Sequence, residues 1–157
     1  TVEDALVLID VQYLLSTARG LVAALGKPLA AIIITHPHPD HINRLNVMLE
    51  ACGVVPVYAN RPTIDIIRAT QKAKGATWTQ VYGSDYPQDD VLPTHVIGAD
   101  DTLRLAAINF RVIDLGAGES ADRVVEVINH QTFVLLQNIV SHGNEPMCRV
   151  GTGHPEN

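Results

Sequence analysis

Four side chains able to hold a metal ion, His36, His38, Asp40 and His41, fall within six residues. Pro37 and Pro39 follow two of the histidines, and a residue before proline is pushed toward extended backbone. In an extended chain, positions i and i+2 point to the same side, so His36 and His38 can converge on one ion. Asp40 and His41 stand where a helix should begin, and a turn there can aim them back at the same spot. Imidazole with carboxylate suits zinc, iron or nickel, and no thiolate is placed to help. The competing reading is a solvated loop whose histidines merely cap a helix. Four donors at this spacing argue against it.

The elements that must position these groups can be read from the apolar pattern. Residues 5–9 form a short apolar run ended by Asp10, and residues 30–34 form a second, as expected of strands buried on both faces. Between them, helical spacing of Leu14, Leu15, Ala18, Leu21, Val22 and Leu25 predicts a helix with Ser16 as N-cap and Gly26 as stop. After the histidine cluster, one helix should carry Ile42, Leu45, Met48 and Leu49 and end near Gly53. Residues 54–58 read as a third strand. Asn60 and Pro62 then open a helix with Ile64 and Ile67 in the core and Gly75 as its end. The second half turns to short strands at 94–97, 102–107, 110–114, 124–128 and 131–136, with the 98–101 turn making the first pair a hairpin. Strand–helix units followed by antiparallel strands predict a sheet-rich α/β layer fold.

Composition removes several classes of function. Seventeen acidic against eleven basic side chains give a net charge of −6, which disfavours a nucleic-acid or anionic-membrane partner. Two cysteines, Cys52 and Cys148, exclude a disulfide scaffold and a four-cysteine zinc module. The apolar runs fall short of the roughly 20 residues a membrane helix needs, and no signal peptide opens the chain. A cytoplasmic location is the expectation, although Thr1 in place of methionine leaves room for an upstream segment.

The segment from His36 to His41 resembles the HxHxDH motif of the metallo-β-lactamase superfamily. Leu8-Ile9-Asp10 is similar to that family's strand-ending aspartate, and residues 30–34 to the strand that feeds its metal loop. The resemblance implies an αββα sandwich with the site at one edge, and a hydrolase using metal-activated water. It places Glu119, in the Gly116–Ser120 loop, where the family carries a third histidine, and Asn138 where it carries a bridging aspartate. Two histidines and a glutamate form a known catalytic zinc set, so His36, His38 and Glu119 could hold one ion; a capping role for Glu119 stays equally open. Asn138 is a weaker ligand and a poor bridge, so one firmly held zinc is expected, a second ion less so, with iron as the alternative metal. Asp40 is the candidate general base, and Asp10 a candidate acceptor for a ligand histidine's other N–H. The substrate would be a small molecule bearing an ester, thioester, lactone or amide. A degenerate metal- or ligand-binding domain, or an iron oxidoreductase on the same ligands, are the competing functions. Tyr58, Trp78, Tyr82 and Tyr86 could line a cleft or be ordinary half-buried aromatics. Against the family, 157 residues is short: a truncated domain over residues 1–146 with a Gly/Pro-rich tail at 147–157 is expected. A partner copy in a homodimer, or further residues, would cover its sheet edges.

Overall fold

A computed structural model of the chain describes residues 5–86, 91–114, 123–127 and 135–136. Three parallel strands come first: β1 (Leu6–Ile9), β2 (Leu29–Ile33) and β3 (Val57–Asn60). Each is followed by helix, namely α1 (Leu15–Ala24), then α2 (Pro39–Ile42) with α3 (Leu45–Cys52), then α4 (Arg61–Tyr82). A 3-10 turn (Gly83–Asp85) and strands β4 (His95–Ile97), β5 (Thr102–Leu105), β6 (Ile108–Asp114), β7 (Arg123–Val127) and β8 (Leu135–Leu136) complete the order. The strands form a five-stranded parallel sheet, β4-β3-β2-β1-β8, and a three-stranded antiparallel sheet, β5-β6-β7.

The apolar runs of β1 and β2 have a simple physical cause. Alternate residues serve two cores. Leu8, Ile32 and Ile34 pack with Ala18, Leu21, Leu45, Met48, Ile64 and Ile67 from the helices. Val7, Ile9, Ala31 and Ile33 point the other way, against Ile108, Phe110 and Val112 of the second sheet. Burial on both faces demands unbroken hydrophobicity rather than alternation. Helix, sheet and sheet therefore stack as three layers, and the outer face of the second sheet presents exposed Thr102, Arg104, Asn109 and Arg111 among the described residues. This is the α/β sandwich architecture that the sequence resemblance implies.

Several local expectations are corrected. Ser16 is not an N-cap: Leu14 holds that position, and the helix amino terminus is closed from afar. Ser16 N–H and Oγ both donate to the Asp85 carboxylate at 3.0 Å. The buried Arg44 guanidinium donates to the Asp85 carbonyl, so one short segment holds both α1 and the α2–α3 junction. The helix expected after the histidines is broken at Asn43–Arg44, because Arg44 N–H leaves the helical ladder for the Gln12 carbonyl at 3.0 Å. Gly75 does not end α4, which continues to Tyr82 and stops at Gly83 with φ +56°. A mid-helix glycine costs only about 1 kcal/mol, and a β-carbon there would stand 4.0 Å from the buried Tyr86 ring. Asn60 does cap α4, its Oδ1 accepting Thr63 N–H at 2.7 Å.

The 98–101 turn is not a hairpin. It hands the chain from β4, parallel to β3, to β5 in the other sheet. The true hairpin joins β5 to β6 through Ala106 and Ala107, at φ +47° and +64°. Two positive φ values in a two-residue loop are what the right-handed strand twist requires, but without glycine or asparagine they carry no sequence signal. The 147–157 tail lies outside the described residues.

Candidate metal centre

Asp10 ends β1, Thr35 and His36 follow β2, and all sit at the carboxyl edge of the parallel sheet, where open α/β sheets present their sites. Val11 N–H donates to the His41 carbonyl at 2.8 Å, which ties the β1 loop onto α2. Pro39 occupies the first position of α2, with its fixed φ suited to a helix start, and His38 before it is extended, at φ −73° and ψ 145°. Asp40 and His41 thus lie in the first turn, directed back toward the strand end.

The imidazoles come together. The ring centroid of His36 lies 3.9 Å from that of His41 and 4.8 Å from that of His38. His41 Nε2 is 3.3 Å from Asp40 Oδ2, while its Nδ1 is 2.7 Å from Asp10 Oδ2. His41 and Asp10 are buried, and the Asp40 side chain is 52% exposed, so the cluster opens toward solvent on the Asp40 side.

Asp10 organises the group. Its carboxylate accepts Thr35 N–H at 2.8 Å, Thr35 Oγ1–H at 2.7 Å and His41 Nδ1 at 2.7 Å. Because the Thr35 hydroxyl gives its proton to Asp10, its oxygen accepts from His36 Nδ1, 2.8 Å away. Both imidazoles are thereby fixed with Nδ1 protonated, and each offers the Nε2 lone pair to the cluster. One carboxylate oxygen of Asp10 and one ring nitrogen each of His36 and His41 lie within 4.8 Å of one another, a spacing that a metal ion could span. Yet the three donors already on Asp10 make it the group that orients the ligands rather than a ligand itself. Asp10 adopts φ +59°, a left-handed conformation that aspartate tolerates better than most residues.

Electrostatics follow from this packing. Burial alone would favour a neutral His41, but hydrogen bonds and charge from Asp10 and Asp40 override it and hold its pKa up to about 9. The hydrogen bond from His41 holds the Asp40 carboxyl below the usual carboxylate range. Such proton retention marks a cluster rich in negative charge, where a divalent cation can replace the proton. The donor set fits a borderline cation such as zinc or iron.

The structure brings together His36, His38, Asp40 and His41. Glu119 and Asn138 lie outside the described residues. The motif pointed to Asp10 but not to Thr35, whose role needs strand pairing between β1 and β2 to be seen. Of the aromatics, Tyr86 is buried against Tyr13 at 5.7 Å between ring centroids, and Tyr13 also meets Tyr82 at 5.3 Å. Tyr13, which the sequence did not single out, therefore joins them into one cluster.

The family follows from comparison with known proteins. A model of the metallo-beta-lactamase superfamily matches residues 2–96, and the chain belongs to that superfamily. A metallo-beta-lactamase from Pontibacter korlensis is similar in structure, with TM-score 0.61 and 17% identity, over 81% of this chain and 52% of that one. A subclass B3 metallo-beta-lactamase of Bradyrhizobium japonicum gives TM-score 0.58 at 16% identity, over 81% of this chain and 48% of that one. A variant flavo di-iron protein from Thermotoga maritima gives TM-score 0.54 at 17% identity, over 81% and 29%. At such identities the likeness is one of fold. The chain spans about half the length of these metallo-beta-lactamases. A comparison with curated proteins gives no match. Among the described residues no helix is long and apolar enough to cross a membrane.

Proposed function

We propose that the chain is a metal-dependent hydrolase of a small-molecule ester, thioester, lactone or amide. The supporting observation is the convergence of His36, His38, His41 and Asp40 at the strand edge, with Asp10 setting the ring tautomers. His36 and His38 would hold the first ion, with Glu119 as their third partner; Asp40 and His41, with Asn138, would be the ligands available to a second. Zinc is the proposed metal and iron the alternative. When bound, the metal supplies an acidified water and polarises a carbonyl. Asp40, exposed at the open side, is the carboxylate placed to take up a proton there as general base. When it holds no ion, His41, held by Asp10 and still protonated at Nε2, donates toward the developing negative charge. Burial of Asp10 and His41 keeps water away from the back of the cluster and so strengthens these interactions.

The test is metal content of the purified full chain, followed by turnover of a panel of esters, thioesters, lactones and β-lactams. One firmly held zinc per chain, with turnover abolished by a chelator and by His38→Ala in folded protein, is expected. Two tightly held equivalents overturn the one-ion arrangement, and no metal overturns the site. Metal without turnover leaves a binding domain, and iron with oxygen consumption replaces the hydrolase by an oxidoreductase.

A further inference from the structure

Against the histidine loop lies a small, partly open cavity between α2 and α4, lined by Pro37, Pro39, Asn43, Gln71, Lys74 and Tyr86. Its free volume is about 10 Å³, about what a single water molecule needs. Two polar atoms of the residues that line it, Asn43 Nδ2 and Gln71 Oε1, are buried with no hydrogen-bond partner among the described residues. Asn43 is buried as a whole, at 4% exposure. One of these atoms is a donor and the other an acceptor. Buried polar groups in native proteins are satisfied, by protein or by ordered water. The occupant must therefore accept from Asn43 and donate to Gln71. An anion could accept from Asn43 and from Lys74 but would face the Gln71 carbonyl oxygen. A cation would meet the Asn43 amide donor, and an apolar group would leave both atoms unsatisfied. Water satisfies both at once, and its second lone pair can receive the Lys74 ammonium.

We propose that this cavity is the site of one long-lived water that bridges Asn43 Nδ2 and Gln71 Oε1, and that Gln71 is through it a positioning residue for the metal loop. Asn43 closes α2, its N–H donating to the Pro39 carbonyl at 2.9 Å, so whatever holds Asn43 also holds the turn bearing Asp40 and His41. Gln71 lies on α4, the longest helix among the described residues, whose core face is anchored by Ile64 and Ile67. The bridge thus braces a four-residue helix against a twenty-two-residue one. The positioning role rests on the metal-binding reading given above, whereas the water site does not.

Two measurements on the full chain separate these parts. In a wild-type crystal structure at about 1.5 Å resolution, a water peak within hydrogen-bond distance of both atoms is expected. Direct contact between the two amides, or a dry cavity, overturns the site. Gln71→Leu removes the acceptor at similar volume and should lower Tm by about 2–4 °C. It should also weaken zinc binding about three- to tenfold and alter the visible spectrum of the cobalt-substituted protein. Gln71→Glu keeps an acceptor oxygen and should restore both readouts and the water peak. A lowered Tm with unchanged zinc affinity and cobalt spectrum overturns the positioning role. Wild-type protein that binds no zinc removes the metal-binding reading and the positioning role with it, while the crystallographic outcome still decides the water site.

Discussion

Asp10 and the Ala106–Ala107 pair share a backbone conformation, all three lying at positive φ. They occupy it for different reasons. Asp10 is buried at the end of β1, and three hydrogen bonds to its carboxylate fix it there. The alanines form a partly exposed two-residue turn, and their methyl side chains can make no hydrogen bond that would offset the strain. Left-handed backbone costs an L-residue about 1–2 kcal/mol. At Asp10 that cost accompanies an oriented pair of histidines; at the hairpin it is the geometric consequence of reversing the chain in two residues. Strain is thus informative about chemistry only where polar side chains converge on it.

Substituting glycine at both places turns this contrast into an experiment. Asp10→Gly relieves the backbone but strands three donors, two on half-buried Thr35 and one on buried His41, and a net loss of about 3 kcal/mol is expected in chemical denaturation. Metal affinity should fall about 10- to 100-fold, as for other partners that orient ligands. A stability gain there would erase the distinction. Asp10→Asn keeps the shape and tolerates the same φ, but places an amide donor among donors. A loss of about 1–2 kcal/mol is expected, with a changed pH profile. In the metal-free protein, the raised pKa of His41 contributes stability that is full below about 6.5 and is lost as pH rises through about 9. Denaturation between pH 6 and pH 10 should show this slope in the wild type and a weaker one in Asp10→Asn. Gly75→Ala supplies the opposite control, a glycine in ordinary helical backbone. The new methyl would make an ordinary 4.0 Å contact with Tyr86, and a gain of about 1 kcal/mol is expected. Ala107→Gly should give the smallest effect, a gain of about 0.5 kcal/mol, since relief of strain exceeds glycine's entropic cost only slightly. Its size should not depend on pH.

The same contrast explains what could be read in the chain. The metal loop was legible because Pro37 and Pro39 dictate local geometry around His36 and His38, leaving little for tertiary structure to decide. Strands β1 and β2 were legible because burial on both faces leaves an unbroken apolar run. Helix ends were less so: Gly75 has the composition of a stop, yet only the placement of Tyr86 and of Gly83 shows that α4 passes through it. The break between α2 and α3 depends on a carbonyl of Gln12, and the function of Thr35 on a carboxylate 25 residues earlier. The β5–β6 hairpin was hidden by the absence of glycine at Ala106 and Ala107. Contacts across the sheet, invisible to local propensity, decide each of these.

The carboxylate of Asp85 closes a helix that starts at Leu15, although it lies 69 positions after Ser16. A chain emerging in order from a ribosome therefore makes α1 well before it has the group that finishes it. Until the segment after α4 is available, the first turn of α1 must rely on water for its N–H groups. Locking of α1, and through Arg44 of the junction behind the histidine turn, becomes a late event in which the first and second thirds of the chain close together.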